Sequence, residues 1–486
     1  MPLAAPPFSP PAPPIYQAGT LTYTKEALYR LFFWLLVGDL VFTLVGQLEL
    51  RMFPVFLKQE GASDKAIAIM ASSIPAVMRF FFNPIVNYQS DRKRSPRGRR
   101  IPYILWAAPG VALFLALIPF TSEISSSLLR IHWLSLWLAK VPLAPAILIF
   151  GLLAMLYQAF QLVVSPTYFC LLRDVVPTSH LGRFMSLFRM VGAFATFGFN
   201  YWLFGLAGHH AGYVFAGIGA ANFLGFFAMC LFVREQAYPS TEEKPRLGEN
   251  PARWPVARAC FNFAAESFSP PLYWWIYVTR LLIYAAIPVA SFLIFFAQRE
   301  IGISLDVTGK ILAWPSFCWI VLAYPIGLMI DRRGPIPVLA VSLAILSASC
   351  LGSFFFITGE TSFFICTLIT GTAVWVVSLA QVLLSQQLFH PARMGQLSSA
   401  NILLQSAVIA LVTSPATGWF LDLMRGTTFH LTLPLIGPLS IGPYRFIYLI
   451  LAMLFSFSLL GTLRVRHYWQ KQGGPGNYAP PALKPD

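Results

Sequence analysis

Long apolar stretches separated by short polar segments follow one another along almost the whole chain. Twelve of them approach or exceed the ~20 residues that a transmembrane helix needs. They lie at 28–48, 65–88, 101–121, 144–170, 183–207, 212–233, 273–297, 308–330, 335–357, 362–387, 397–423 and 443–464. Continuous apolar runs of this length differ from the short alternating segments of an outer-membrane barrel. The pattern therefore predicts an all-α membrane protein with 12 transmembrane helices.

The composition agrees with this prediction and excludes several functions. Of the 486 residues, 57% are hydrophobic and only 11% are charged, whereas soluble domains have about 25% charged residues. The sequence contains no nucleotide-binding or hydrolase motif, so we expect neither an enzyme nor a nucleotide-driven pump. The six cysteines have no paired spacing, so we expect no metal site, cofactor or disulfide framework.

One long polar segment, at 234–271, separates the first six predicted spans from the last six. We therefore predict a disordered Pro-rich tail at 1–27, a six-helix bundle at 28–233, a cytoplasmic linker at 234–271, a second bundle at 272–465 and a disordered tail at 466–486. Most Lys and Arg residues between the spans fall on the side of the two termini, which the positive-inside rule places in the cytoplasm. The net charge of +15 thus orients the protein and needs no nucleic-acid partner. The absence of glycosylation sequons favours a bacterial inner membrane, and no motif indicates an oligomer.

Polar loops recur at equivalent positions of the two halves. An Asp-Arg loop follows the second span of each half, at Asp91-Arg92 and at Asp331-Arg332-Arg333. A Pro-then-Gly loop follows the fourth span of each half. Such recurrence indicates two structural repeats around a central cavity.

Two six-helix halves, a central linker and paired Asp-Arg loops resemble the major facilitator superfamily. Within it, the segment DRKRSPRGRRIPYI is similar to the D-R-x-x-S-R-x-G-R-R-x-P-F-I loop of sucrose-type and related glycoside:cation symporters. The matching positions are Asp91, Arg92, Ser95, Gly98, Arg99, Arg100, Pro102 and Ile104. The chain departs from the family pattern at Asn87, Pro96 and Tyr103. The resemblance implies an alternating-access carrier that takes up a sugar or glycoside together with a proton.

The Asp-Arg loops are the predicted gates. Asp91 can approach the start of the third helix, where the helix dipole favours an anion, or pair with an arginine such as Arg173. The alternative is that the basic residues only anchor the topology. The candidate gating residues are Asp91, Arg92, Gly98, Arg99, Arg100, Arg173, Asp331, Arg332 and Arg333.

Few charged residues fall inside the predicted spans, where ionisable groups are costly and usually functional. Asp39 is the deep acid, and Arg79, Arg189 and Arg280 are the deep cations. Asp39, Thr43 and Gln47 recur every four residues, on one face of the first helix. We predict that Asp39 binds and releases a coupling proton, with Arg79 or Arg189 setting its affinity. The alternative is a permanent ion pair.

Three other charged residues lie near the predicted span ends, where we expect them to reach water. They are Glu49, Arg51 and Asp422. The segment 124–140 is too short for a further span and reads as an interfacial helix.

Amides and aromatic residues form stripes at helical spacing on spans from both halves. Such stripes suit a polyhydroxylated ligand, although interhelical hydrogen bonding is the commoner use of each single residue. The candidate substrate-binding residues are Gln47, Tyr157, Gln158, Gln161, Asn200, Tyr277, Arg280, Tyr284, Trp375, Gln381, Asn401 and Gln405. Because deep arginines outnumber deep acids, an organic anion or hexuronide is the competing substrate. A non-transporting assembly factor or receptor is the alternative from another class.

Overall fold

The computed structural model describes residues 16–18, 20–92, 95, 97–130, 144–177, 180–235, 267–390, 393–433 and 437–481. Within these ranges, 12 helices are long and apolar enough to cross a membrane, as predicted. They are α1 Lys25–Gln59, α2 Asp64–Asn83, α3 Ile101–Leu129, α4 Pro145–Val175, α5 Leu181–His209, α6 Ala211–Phe232, α7 Pro271–Ile301, α8 Leu305–Arg333, α9 Pro335–Phe356, α10 Glu360–Leu388, α11 Met394–Leu423 and α12 Pro443–Lys471. The protein is an integral, multi-pass membrane protein.

Several helices extend beyond the apolar runs that predicted them. Helix α1 continues to Gln59, well past the predicted end at 48, and α2 continues as helix to Arg92. Residues 124–129 prolong α3 instead of starting a separate interfacial helix, and 131–140 lie outside the described residues. Apolar runs mark where a helix crosses hydrocarbon, whereas backbone hydrogen bonds carry the same helix on into polar surroundings.

Parts of the segments predicted as disordered tails are ordered. Strand β1 Tyr16–Ala18 pairs antiparallel with β2 Leu21–Tyr23, just before α1. After α12, a short helix α13 Gly474–Asn477 follows, and the Tyr478 hydroxyl donates a 2.7 Å hydrogen bond to the Leu388 carbonyl at the end of α10. A second antiparallel pair, β3 Phe429–Leu433 and β4 Gly437–Ile441, joins α11 to α12. The predicted tail boundaries at 27 and 466 are therefore wrong.

The helices run alternately between two ends of the bundle. We call the end that carries Lys25, Phe232, Pro271 and Lys471 the linker end, and the opposite end the distal end. Helices α1–α6 form the first half and α7–α12 the second. The halves meet mainly where α2 packs against α11 and α5 against α8.

Single π-helical turns interrupt α5 at Phe199–Leu203 and α11 at Ile409–Thr413. These two helices are the fifth of their halves, so the interruptions occupy equivalent places in the two repeats. A π turn inserts one extra residue and turns the helix beyond it. Both turns lie between the middle of the helix and the distal end.

The positive-inside rule predicts that the linker end is cytoplasmic, which labelling can test. In a chain whose native cysteines are replaced by Ser, we expect T427C at the exposed distal end to react with a membrane-impermeant maleimide on intact cells. E26C at the exposed linker end should react only after permeabilisation. The reverse pattern would show that the termini lie outside.

Candidate functional site

An acidic side chain of the second half caps a helix of the first half at the distal end. The Asp422 carboxylate, near the end of α11, accepts 2.9 Å hydrogen bonds from the backbone N–H groups of Asp64 and Lys65. These are the first residues of α2, where unpaired N–H groups and the helix dipole favour an anion. Although the sequence analysis placed Asp422 in water near a span end, it instead links the two halves.

The Asp64 side chain adds further links across the same boundary. Its carboxylate pairs with the Lys58 ammonium group of α1 and accepts hydrogen bonds of 3.0 and 3.1 Å from the Tyr444 hydroxyl of α12. The Lys58 nitrogen also lies 5.6 Å from the centre of the Phe295 ring of α7. Charge pairing, hydrogen bonding and cation–π attraction thus act together at one point of contact.

Glycines let the backbones of the halves approach closely around these bonds. A Cβ on Gly418 would lie 2.6 Å from the Lys65 Cα, and one on Gly309 would lie 2.5 Å from the Asn200 carbonyl oxygen. A Cβ on Gly205 would lie 2.8 Å from the Asp306 Cα. No larger residue fits at these sites without separating the helices, as at small-residue interfaces in membranes generally. The distal end is closed.

A cavity of about 360 Å³ lies between the halves, beneath this closure. The first half contributes Gln47, Leu50, Arg51 and Thr196, and α7, α8, α10 and α12 contribute the rest of the lining. The polar lining residues of the second half are Ser291, Thr308, Ser316, Thr367, Thr370, Trp375, Ser378 and Tyr448. The Trp375 ring stacks on the Trp319 ring with centroids 5.8 Å apart and planes inclined by 9°. The cavity therefore combines hydroxyl groups, one amide, one guanidinium group and a flat aromatic face.

Asp39 lies nearer the linker end, on the same face of α1. Its side chain is only 2% exposed, and its carboxyl group hydrogen-bonds to Thr43 and feels the positive charge of Arg189 on α5. A Cβ on Gly192 of α5 would lie 3.6 Å from the Asp39 Oδ2 atom. Among the described residues, no Lys or Arg nitrogen comes within 4.0 Å of this carboxylate. Asp39 thus faces a cation that influences it without forming a permanent contact pair.

Glu49 is a second carboxylate inside the first half, which the sequence analysis missed. Its Oε2 atom accepts a 3.0 Å hydrogen bond from the Tyr157 hydroxyl of α4, and Arg79 of α2 exerts an electrostatic attraction on it. Because α1 extends to Gln59, Glu49 is ten residues from the helix end and lies within the bundle. Each carboxylate is thus attracted by a different arginine, Glu49 by Arg79 and Asp39 by Arg189.

At the linker end, Glu235 caps the start of α3. Its two carboxylate oxygens accept backbone hydrogen bonds from Arg99, Arg100 and Ile101 at 2.7, 2.8 and 2.6 Å. Burial raises the pKa of the Glu235 carboxyl group, while these three hydrogen bonds oppose the rise. Glu235 thus occupies the helix N-terminus that the sequence analysis assigned to Asp91, whose side chain lies outside the described residues.

The arginines of the same loop pair with Asp174 at the end of α4. Arg99 donates to Asp174 Oδ2 from Nε at 3.2 Å and from its terminal nitrogen at 2.8 Å, and the Arg100 Nε lies 3.6 Å from the same oxygen. Arg100 is only 3% exposed and also donates to the Ser90 hydroxyl of α2. Gly98 has a φ of +101°, and a Cβ there would collide with Glu235. The loop is a clamp within the first half.

The other candidate gating residues differ from this clamp. Arg173, next to Asp174, is exposed, and so are Asp331, Arg332 and Arg333 at the end of α8. Arg92 lies at the end of the α2 helix, and its side chain is outside the described residues. Among the described residues, the loop of the second half therefore has no ion pairs like those of the first half.

Of the candidate substrate-binding residues, the structure places Gln47 and Trp375 on the cavity. Tyr277 is fully buried at the linker end, where its ring packs against Phe268 and Phe389. The guanidinium carbon of Arg280 lies 6.0 Å from the centre of the Tyr284 ring on the same helix.

The remaining candidates are buried polar residues of the helix interfaces. Gln405 donates a 3.1 Å hydrogen bond to Asn401, and Asn200 donates to the Thr196 carbonyl at 2.9 Å. The last three are amides with at most 6% exposure: Gln158, Gln161 and Gln381. The structure does not gather these residues around the cavity described above.

Comparison with known proteins identifies the family. The sequence profile described as Major Facilitator Superfamily matches residues 131–413. The chain belongs to this superfamily. It is therefore a transporter, not an enzyme. No curated protein matches the sequence.

Solved structures show that the fold is shared widely. A bacterial homologue of the iron transporter ferroportin, in its inward-facing state, superposes with a TM-score of 0.62 at 14% identity, covering 90% of this chain and 99% of that one. The peptide transporter POT, in complex with sulfate, gives 0.59 at 13% identity over 92% and 95% of the two chains. The nucleoside transporter NupG gives 0.57 at 12% identity over 90% and 98%. At these identities the similarity establishes the fold alone.

The Asp422 cap predicts how the distal end responds to loss of charge. We expect D422N to favour separation of the halves by about 1–2 kcal/mol, because one charge-assisted acceptor of two backbone N–H groups is lost. Spin labels at E123C and T427C, both at exposed distal positions, would report a larger fraction of long distances. E26Q at the exposed linker end is the matched control. An unchanged distance distribution in D422N would contradict a role for the cap in closure.

The Glu235 cap predicts a stability effect. We expect E235A to lower the unfolding free energy by about 1–3 kcal/mol, since three N–H groups at the start of α3 lose their acceptor. E235Q retains one oxygen and should lose less. Thermal unfolding in detergent would measure both variants beside the exposed control E26A, and equal melting temperatures for all three would argue against the cap.

Proposed function

We propose that this transporter takes up a hydroxylated organic solute of sugar size, by alternating access, coupled to a proton. The observation that carries the proposal is the cavity of about 360 Å³ lined by both halves beneath a closed distal end. A solute bound there contacts both bundles, so its binding free energy can bias their relative position. With the termini in the cytoplasm, the closed distal end is the outer end.

The chemistry of the cavity wall supports a hydroxylated solute. The hydroxyls of Ser291, Thr308 and Ser378 donate to backbone carbonyls of their own helices, so they are left to accept hydrogen bonds from a solute. The amide of Gln47 can both donate and accept. The Trp375 ring, which lines the cavity, offers an apolar surface that suits the C–H surface of a sugar ring. The loop from Asp91 to Ile104, similar to that of glycoside:cation symporters, favours the same class.

The surroundings of Asp39 support proton coupling. Asp39 is buried, and no Lys or Arg nitrogen among the described residues lies within 4.0 Å of its carboxylate. When the two halves move, the access of water to this buried carboxylate changes, and with it the affinity of Asp39 for the proton. Glu49 is the second candidate, because its hydrogen bond to Tyr157 ties another carboxylate to α4.

Transport in proteoliposomes tests the proposal. With an inward proton gradient, we expect wild-type protein to accumulate a hexose, a glycoside or a related sugar derivative from a labelled panel. D39N should reduce gradient-driven accumulation at least about 10-fold while exchange at zero gradient continues, because a fixed neutral amide cannot carry the proton.

Two further variants assign the coupling residue. E49Q should accumulate solute like wild type if Asp39 alone couples, and E26Q serves as an exposed control. If E49Q loses gradient-driven accumulation while D39N accumulates solute like wild type, the coupling residue is Glu49 and not Asp39. Gradient-independent uptake by wild-type protein would refute coupling to protons.

A further inference from the structure

A cation continues the polar face of α1 into the cavity. Asp39, Thr43, Gln47 and Arg51 follow one another at intervals of four residues, so they lie along one slowly turning stripe of the helix. Gln47 and Arg51 both line the cavity. The stripe therefore extends from the deep carboxylate to a guanidinium group in the wall of the proposed binding site.

Arg51 has no protein partner in the part of the chain that the structure describes. Its Nε is buried without a hydrogen-bond partner, and no carboxylate oxygen lies within 4.0 Å of its side chain. The Oε1 atom of the neighbouring Gln47 is also buried and unpaired. The buried Nε–H donor of Arg51 is costly to leave unsatisfied, and the residue is partly exposed, so its terminal N–H groups are accessible to a ligand.

The cavity itself does not neutralise this charge. Arg51 is the one charged residue among its described lining residues. The nearest acid along the chain, Glu49, is bonded to Tyr157 on the α4 side of the helix. An unpaired cation in a membrane interior is unfavourable, and such residues usually meet a counter-charge or a solute.

The other deep arginines lie near other groups, although the Arg280 Nε is also buried without a hydrogen-bond partner. Arg189 and Arg79 exert their charges on Asp39 and Glu49, respectively. The guanidinium group of Arg280 lies over the Tyr284 ring. None of Arg79, Arg189 and Arg280, whose excess over deep acids favours an anionic substrate, is among the residues lining the cavity. Arg51 thus supplies an anion site that the sequence analysis did not identify.

We infer that Arg51 binds a carboxylate of the transported solute, which makes that solute a hydroxylated organic acid of the sugar-acid class. This inference rests on the proposed function and narrows its substrate. The planar guanidinium fork matches a carboxylate in two parallel hydrogen bonds, and the hydroxyl-rich wall of α7, α8 and α10 receives the rest of the molecule. A single unpaired cation balances one negative charge, so a monoanion fits better than a dianion.

Equilibrium binding to protein in nanodiscs tests the inference without requiring transport. The probes are a hexuronate, the hexose of the same ring configuration and the corresponding hexose phosphate. Calorimetry measures the binding of each probe. We expect wild-type protein to bind the hexuronate at least about 10-fold more tightly than the hexose, and the hexose phosphate more weakly than the hexuronate. Equal or tighter binding of the neutral hexose would overturn the inference.

Substitution of Arg51 locates the selectivity. R51Q should weaken hexuronate binding by on the order of 100-fold, because the charge pair with the carboxylate is lost, and should weaken hexose binding much less, because a hexose has no carboxylate. R51K keeps the charge but not the fork, and should lie between R51Q and wild type. R130Q, at an exposed position outside the cavity, is the control. Unchanged hexuronate affinity in R51Q would refute the role of Arg51.

The comparison with transport separates the two proposals. Proton-driven accumulation of the hexose without binding of the hexuronate would leave the proposed function standing and refute the anion site. Arg51-dependent hexuronate binding without gradient-driven uptake would support the anion site and refute proton-coupled uptake. If R51Q fails to fold, the probe selectivity of wild type and R51K still decides the question.

Discussion

The hydrogen bonds from the start of α2 to Asp422 fix the arrangement on which the rest of the structure depends. They join the two halves through backbone groups that cannot move independently of the helix. Separation of the halves removes the carboxylate from these N–H groups at the start of α2, so it is unfavourable until water or another acceptor replaces that carboxylate. The cavity exists as a closed-ended chamber because this bond and the glycine contacts around it hold the distal ends together.

Carboxylates also cap helix N-termini within each half, where they stabilise that half. Glu235 accepts hydrogen bonds from three backbone N–H groups at the start of α3. Glu300 of α7 accepts hydrogen bonds from the backbone N–H groups of Tyr444 and Arg445 at the start of α12. Caps within a half keep a bundle rigid, whereas the Asp422 cap crosses between bundles. An alternating-access protein needs both, because rigid bodies move only if the bonds between them are weaker than the bonds within them.

Much of the architecture could be predicted from the sequence. The 12 spans, the two halves and the superfamily follow from apolar run length and recurring loops, because hydrocarbon thickness imposes a nearly fixed helix length. The ends of helices were less predictable. Polar residues such as Glu49 and Arg51 ended the apolar run but not the helix, so they were assigned to water. The spacing of Asp39, Thr43 and Gln47, continued by four more residues, points directly to Arg51.

The acids that cap distant helices could not be predicted, because separation along the sequence does not indicate which acidic side chain lies at which helix end. Asp422 lies more than 350 residues from its partners, and its orientation depends on a feature of its own helix. The π-helical turn at Ile409–Thr413 adds one residue to α11, which rotates every later side chain by about 100°. In a regular helix, Asp422 would point to another side. A single inserted residue, two to three turns away, thus orients the Asp422 carboxylate towards α2. Closure of the distal end depends on this insertion as much as on the carboxylate.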